Sequence, residues 1–108
     1  GSKHLAAHQP LQQLLKDQSA AGRRFAAIGE SPALALQTSG VLRQRRMTCL
    51  PAVSNQLQGC TFVDQPVVVD GNCITAQGSG AALAFALQLV EQLQGKAVRL
   101  KVAQELLA

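Results

Sequence analysis

Side chains that could act as nucleophiles are few in this chain. The three cysteines, Cys49, Cys60 and Cys73, are widely separated and form no CxxC or other metal-binding pattern. Their odd number argues against a disulfide framework and fits a reducing intracellular compartment. We therefore expect each thiol to contribute to packing rather than to chemistry.

Two histidines lie near the start of the chain. His4 and His8 are four residues apart, so on one continuous helix they would share a face and could both ligate a metal ion. A structural or catalytic zinc site needs at least three protein ligands, and this pair has no third. The sequence therefore predicts no metal and no cofactor, although either histidine could border a neighbouring pocket.

A corner that could hold a nucleophile lies in RRFAAIGESPALAL, residues 23–36. The run FAAI, residues 25–28, is apolar on both faces, as a central parallel strand should be. A helix follows, with Ser31 as the predicted N-cap and Pro32 at its first position. Enzymes with a doubly wound sheet place their nucleophile at this kind of strand-to-helix turn. Here the turn holds Gly29, which has no side chain.

The remaining elements must position this corner. A polar lead-in and a helix with Pro10 in its first turn precede it, and a strand is predicted over RMTCL, residues 46–50. The clearest β signal is VVV, residues 67–69, followed by the turn Asp70-Gly71-Asn72 and the strand CITA. Two helices end the chain, so the order predicts an α/β layered fold. Because the predicted sheet is thin, we expect strands N-terminal to Gly1 to complete it.

Composition bounds the fold and the partners. With 108 residues, 47% of them apolar, the chain forms one globular domain at most, and no apolar run is long enough to span a membrane.

The net charge of +4 comes largely from RQRR, residues 43–46, and from Arg23-Arg24. These runs could bind phosphate groups or form a solvated loop. The sequence favours the solvated loop, and disfavours nucleic acid, because no aromatic platform accompanies the arginines.

Three stretches together resemble the ThiJ/PfpI superfamily. FAAIGESPALAL is similar to its strand, elbow and helix. VVVDGNCITAQGSGAALAFALQLVEQLQGK is similar to its hairpin, Gly-rich turn and long helix. GSKHLAAHQPLQQLLKDQ resembles the segment after its Gly-Gly loop. The resemblance covers essentially all 108 residues in order and is strongest to the subgroup of the parkinsonism-associated protein deglycase with its plant and bacterial relatives.

The resemblance implies a flavodoxin-like, three-layer α/β sandwich of the class I glutamine-amidotransferase type, usually a homodimer. It implies that residues 1–108 form the C-terminal part of one domain, whose N-terminal strands, helices and acidic site residue lie outside this chain. The family's cysteine position falls on Gly29, with Glu30 next to it, and a second pocket position, often His or an aromatic residue, falls near Leu50. Relatives occur in the cytoplasm and in organelles such as plastids.

Three hypotheses of function follow. The first is a family member without thiol catalysis, kept for a structural, dimerising or chaperone-like stress role, either as a homodimer or paired with an N-terminal half of the same domain. The second is a glyoxalase- or deglycase-type enzyme that acts on reactive carbonyls through other groups, with Glu30, Cys49 and the Ser31 hydroxyl as weak candidates. The third is a module that binds a small molecule, such as a carbonyl compound, or an anion at the helix N-terminus from Ser31 to Ala33. The candidate binding residues are Gly29, Glu30, Ser31 and Leu50.

Overall fold

The computed structural model describes residues 1–107 of the chain. Helices and strands alternate in the first part, and two helices close the chain. The helices are α1 (Ser2–Ala7), α2 (Gln9–Ala20), α3 (Gln37–Ser39), α4 (Ala82–Gln94) and α5 (Lys96–Leu107). The strands are β1 (Phe25–Ile28), β2 (Arg46–Met47), β3 (Thr61–Phe62), β4 (Val67–Asp70) and β5 (Cys73–Ala76).

The main sheet of the described residues has the order β1-β5-β4. β1 runs parallel to β5, with Phe25 opposite Cys73, and β4 runs antiparallel to β5, with Val67 opposite Ala76. The predicted hairpin is therefore confirmed, and Gly71 adopts the positive φ of 58° that its turn needs. A second, shorter pair joins β2 and β3 in parallel. The strand predicted over residues 46–50 is regular only at its first two positions.

Helices cover both faces of the sheet. Phe25 and Cys73 point into a core that also contains Leu36 and Met47. The alternate positions, Ala26 and Ile74, face the other way and line a cavity of about 180 Å³ together with side chains of α4. Successive residues of a strand point to opposite faces, so this alternation follows from the strand geometry. The result is the predicted layered α/β architecture.

The N-terminal segment contains two helices where the sequence predicts a lead-in and one helix. In a single helix the nitrogen of Pro10 would have to donate to the Ala6 carbonyl, and proline has no N–H. The chain instead leaves helical geometry at His8 (φ −85°, ψ 101°). The buried side chain of Gln12 donates its Nε2 to the carbonyls of Leu5 and Ala6 at 3.1 and 3.2 Å. Gln12 thus replaces the hydrogen bond that proline cannot make.

The helix after β1 also differs from a regular α-helix. Its first part, Pro32–Leu36, is π-helical, and only Gln37–Ser39 are α-helical. Gly40 ends the segment with a φ of 80°, the left-handed conformation that favours glycine after a helix. Four of the five π-helical residues are buried, so packing against the core holds this wider turn.

The last two helices are the least covered part of the structure. α4 is apolar around most of its circumference, yet none of its residues is buried. An Arg99–Glu91 ion pair of 3.2 Å links α5 to α4. Several large apolar side chains remain exposed here, including Leu83, Leu93 and Leu100. None of the helices in residues 1–107 is long and apolar enough to cross a membrane.

Candidate functional site

The corner at Gly29 lies where the carboxyl ends of β1 and β5 meet. The Gly29 N–H donates to the Ala76 carbonyl at 3.0 Å, which extends the parallel pairing by one residue. The Gly29 carbonyl accepts from the Leu50 N–H at 2.8 Å. These two backbone hydrogen bonds hold Gly29 between β5 and the segment after β2.

Gly29 has the backbone of a strained strand-to-helix turn. Its φ is 71°, in the left-handed region, which costs a residue with a side chain roughly 1–2 kcal/mol. A Cβ built on Gly29 would have no atom within 4 Å apart from its chain neighbours. The corner thus has the turn and the open space for a nucleophilic side chain, but glycine supplies none.

The two residues after Gly29 differ in how they are held. The side chain of Glu30 is exposed, and its backbone carbonyl accepts from the Leu34 N–H at 3.0 Å. The prediction that Ser31 caps the helix with its side chain is wrong. Ser31 already has helical geometry (φ −59°, ψ −36°), and its hydroxyl forms no capping hydrogen bond. A capping residue has an extended backbone, which lets its side-chain oxygen accept from the N–H groups of the first helical turn. The π-helical start removes that geometry.

Leu50 borders a shallow cleft beside the corner. The cleft has a volume of about 330 Å³ and is lined by Leu50, Pro66, Gln77, Gly78, Gly80 and Ala81. A Cβ built on Gly78 would lie 3.7 Å from the Leu50 Cδ1 atom. None of these lining residues is titratable, and the Gln77 amide is already bonded to the Asp64 carboxylate at 2.8 Å. The cleft can bind through shape and apolar contact, and its walls supply no acid or base.

The cysteines do not replace the missing side chain. Cys49 is fully buried in the core, and its Sγ donates to the Leu50 carbonyl at 3.4 Å. Burial, and to a lesser extent the nearby Cys60, raises the pKa of the Cys49 thiol to about 11. Burial likewise raises the pKa of Cys73 to about 11, although Arg45 opposes it, and raises the pKa of Cys60. Since the thiolate is the reactive form, these thiols have the character of packing groups.

The two histidines lie on different helices. His4 is in α1, whereas His8 follows its end and caps α2, with Nδ1 accepting from the Leu11 N–H at 3.2 Å. The break at His8 thus removes the shared helix face on which a two-histidine ligand set depends. In the part of the chain that the structure describes, no group of three or more His, Cys, Asp or Glu side chains could hold a metal ion.

The opposite end of the same strands holds a side-chain network that sequence reasoning missed. Arg45 donates its Nη1 to the Asp70 carbonyl at 3.0 Å and its Nη2 to the Asn72 Oδ1 at 2.8 Å. Its Nε donates to the Val41 carbonyl at 3.0 Å, and its guanidinium lies 5.2 Å from the centre of the Phe25 ring. Arg45 therefore ties the loop before β2 to the hairpin turn and to β1. These contacts join residues up to 27 positions apart, so no local pattern could have signalled them.

Asn72 extends this network to the start of β1. Its Nδ2 donates to the Arg23 carbonyl at 2.8 Å, and its backbone carbonyl accepts from the Phe25 N–H at 2.9 Å. The neighbouring Asp70 accepts the Arg46 N–H on its carboxylate at 2.7 Å. The two arginine runs that are separate in the sequence thus meet around one turn. The predicted solvated loop is wrong for Arg45, which is half-buried and structural.

Comparison with known proteins identifies the family. The model of the DJ-1/PfpI family matches residues 1–92. The chain is 34% identical over 104 residues to protein DJ-1 homolog B of Arabidopsis thaliana, covering 96% of this chain and 24% of the plant protein. It is 36% identical over 98 residues to a protein of Schizosaccharomyces pombe named glutathione-independent glyoxalase DJ-1, covering 89% of this chain and 51% of that protein.

The fold agrees with these similarities. The crystal structure of Drosophila melanogaster DJ-1beta superposes with a TM-score of 0.94 at 36% identity, covering 99% of this chain and 58% of that one. The chain thus spans between about a quarter and three fifths of the relatives it matches. The predicted flavodoxin-like α/β fold and the predicted family are both confirmed: the chain belongs to the DJ-1/PfpI family.

Proposed function

We propose that this protein is a DJ-1/PfpI family member without thiol catalysis at its elbow. The observation that carries the proposal is Gly29. It combines the left-handed φ of 71° with open space around its missing Cβ. The family resemblance puts the nucleophilic cysteine at this position. A corner that keeps the geometry and lacks the side chain fits a fold retained for another role.

Two features of the surroundings support this proposal. The cleft at Leu50 is lined by apolar and amide side chains, so its walls offer no proton donor or acceptor for a carbonyl substrate. The Cys49 thiol, the cysteine nearest to the corner in sequence, has a pKa of about 11 because it is buried. A substitute nucleophile would need a lowered pKa and access to substrate.

The role we propose instead is structural, dimerising or chaperone-like. In residues 1–107, β1 has a strand neighbour on one side only, and its other edge is open. Beside that edge, α4 presents apolar side chains of which none is buried. The apolar face of an amphipathic helix is normally covered, and an open strand edge normally pairs or is protected. We therefore propose that an N-terminal half of the same domain covers this surface, in a protein that also forms homodimers.

A second candidate function keeps the chemistry of the relatives. The similar protein of Schizosaccharomyces pombe is named a glyoxalase, which favours an enzyme acting on reactive carbonyls. In this chain such an enzyme would need a base other than cysteine. Glu30 is the group that the geometry offers, because its exposed side chain follows Gly29 directly and forms no ion pair or hydrogen bond within residues 1–107.

The experiment that separates the two candidates uses the intact gene product. Methylglyoxal is added, and lactate is measured for the parent, for Gly29→Cys and for Gly22→Cys. Gly22 is a matched control because its φ is also 71° and its Cβ position is also open. We expect no lactate from the parent or from Gly22→Cys. Lactate from Gly29→Cys would show that the pocket is otherwise preserved. Lactate from the parent would overturn the proposal, and its loss in Glu30→Gln would then assign the base.

Three further measurements test the structural, dimerising and chaperone-like roles. The mass of the native gene product shows whether an N-terminal half accompanies these residues, and light scattering shows whether it dimerises. Suppression of aggregation of a thermolabile client protein tests the chaperone-like role. No suppression at molar excess would remove that role and leave the structural one.

A further inference from the structure

A cavity of about 470 Å³ opens at the end of α3 and shares no lining residue with the cleft at Leu50. Proteins bind small molecules in pockets of roughly 300–1,000 Å³. The residues that line this cavity are Gln37, Gly40, Leu42, Arg43, Gln58 and Gly59. It is therefore a place for a ligand that is distinct from the corner at Gly29.

Specific hydrogen bonds hold the walls of this cavity in place. The Gln37 carboxamide clamps the facing loop, because its Nε2 donates to the Gln56 carbonyl and its Oε1 accepts from the Gln58 N–H at 2.6 Å. These bonds join residues 19 and 21 positions apart. The Gln44 N–H donates to the Gly59 carbonyl, also at 2.6 Å. The cavity is thus preformed, which lowers the entropy that binding would cost.

The backbone next to Arg43 is strained. Gln44 has a φ of 61°, and within residues 1–107 it is the non-glycine residue that adopts the left-handed region. Its two neighbours diverge: Arg43 lines the cavity, whereas the Arg45 guanidinium lies over the Phe25 ring. Strained backbone persists where the surrounding structure holds it, and it clusters at ligand sites. The turn at Gln44 places one arginine at the cavity while the other anchors the fold.

The polar groups still available at the cavity are mainly hydrogen-bond donors. Arg43 is exposed, and within residues 1–107 its guanidinium forms no hydrogen bond or ion pair. The Gln58 carboxamide is equally available, and no lining residue is acidic. The carbonyls of Gly40 and Gly59 already accept from the N–H groups of Arg43 and Gln44. A guanidinium is a planar fork that binds a carboxylate through two parallel hydrogen bonds.

We infer that this cavity binds a small organic carboxylate that also carries hydroxyl groups. The Arg43 guanidinium pairs with the carboxylate. The Gln58 carboxamide can both donate and accept, so it suits a hydroxyl group. One guanidinium matches the single charge of a carboxylate better than the nearly double charge of a phosphate ester. The inference is independent of the proposed function, because no residue of the Gly29 corner lines this cavity.

The test titrates gluconate, a polyhydroxylated carboxylate, into the intact gene product and measures binding by calorimetry. The variant is Arg43→Gln. The matched control is Arg46→Gln, because Arg46 is also exposed, carries the same charge and does not line the cavity. Circular dichroism checks that both variants keep the fold, which neither exposed side chain is needed to hold.

We expect Arg43→Gln to weaken gluconate binding about 10-fold or more, since it removes hydrogen bonds between two charged groups. Arg46→Gln should stay within about 2-fold of the parent, because exposed charges outside the site contribute little. Equal weakening in both variants would mean attraction by net charge alone and would overturn the site. Absence of parent binding at about 10 mM gluconate would also overturn it.

Three further probes test the chemical class of the ligand. Sorbitol keeps the hydroxyl groups and lacks the carboxylate, hexanoate keeps the carboxylate and lacks the hydroxyl groups, and inorganic phosphate is an anion of another geometry. Each should bind the parent more weakly than gluconate, and any that binds as well would overturn the assigned class. Gln58→Ala should weaken gluconate about 3-fold and leave hexanoate unchanged. Equal loss of both ligands would contradict the role of Gln58.

Discussion

The two ends of the β1–β5 pair are built in opposite ways. At the amino end, the side chains of Arg45 and Asn72 join the hairpin turn to β1 and to the loop before β2. At the carboxyl end, the backbone N–H and carbonyl of Gly29 bond to the backbones of Ala76 and Leu50. Side-chain hydrogen bonds join the segments at the amino end, whereas backbone hydrogen bonds of a glycine join them at the carboxyl end.

This difference explains how the corner can hold a glycine without loss of the fold. Backbone hydrogen bonds are available to any residue, so a substitution at the carboxyl end changes chemistry more than stability. Glycine is also the residue that adopts positive φ at least cost. At the amino end, each contact needs one specific side chain. We therefore expect substitutions of these side chains at the amino end mainly to lower the free energy of unfolding.

The largest effect that we expect comes from Arg45→Ala. It removes three hydrogen bonds and the contact with the Phe25 ring, and leaves the Asn72 side chain without its arginine partner. We expect the free energy of unfolding to fall by about 2–4 kcal/mol, as measured by urea denaturation. Arg43→Ala, an exposed neighbour, should change it by less than about 0.5 kcal/mol. Equal effects of the two substitutions would contradict the assignment of Arg45 as a structural anchor beside an exposed Arg43.

Substitutions of two buried threonines test the region between the amino and carboxyl ends of the β1–β5 pair. The Thr75 hydroxyl accepts from the Thr48 N–H at 2.9 Å, and both residues are fully buried. Thr75→Val leaves that N–H unpaired and should cost about 1–3 kcal/mol. The Thr48 hydroxyl itself has no partner in the structure. Thr48→Val should therefore be neutral or slightly stabilising, and the two melting temperatures report the contrast. A large loss in Thr48→Val would reveal a hydrogen bond, or a buried water, at this hydroxyl.

At the carboxyl end, Gly29→Ala should have a modest cost. The added methyl group meets no atom, so the penalty is that of the left-handed backbone, about 1 kcal/mol. Gly80→Ala serves as the control, because its Cβ position is also open and its φ is not positive. It should stay within about 0.5 kcal/mol of the parent in urea denaturation. A cost at Gly29 well above that of Arg45→Ala would reverse the comparison between the two ends.

The raised pKa values of two buried thiols lead to a prediction of how the free energy of unfolding depends on pH. Burial raises the pKa of Cys49 and of Cys73 from 9.0 to about 11 in the folded protein. Between these values the unfolded chain releases protons that the folded chain keeps, so the free energy of unfolding falls as the pH rises. The chain has no tyrosine, and the double variant keeps every lysine, so its comparison with the parent isolates the two thiols. Urea midpoints measured from about pH 8 to about pH 11 should decline in the parent. The decline should be shallower in the double variant Cys49→Ala/Cys73→Ala, and an equal slope would contradict the prediction.

Much of the fold could be read from local signals. The hairpin at Asp70-Gly71-Asn72, the apolar strand Phe25–Ile28 and the turn at Gly29 are each encoded within a few neighbouring residues, and each is confirmed. The predicted Ser31 cap and the single N-terminal helix were wrong. The cap depended on how the helix start packs against the core, which a propensity does not describe. The break between α1 and α2 follows from Pro10, which cannot donate a backbone hydrogen bond.

The sequence alone was enough to establish the family, the α/β layering and the glycine at the corner, because these rest on residue types and on spacings of a few positions. Only the tertiary structure decided that Arg45 is an anchor and that Asn72 joins the two arginine runs. Those contacts bridge residues more than twenty positions apart. They exist because parallel pairing of β1 with β5 brings distant amino ends together.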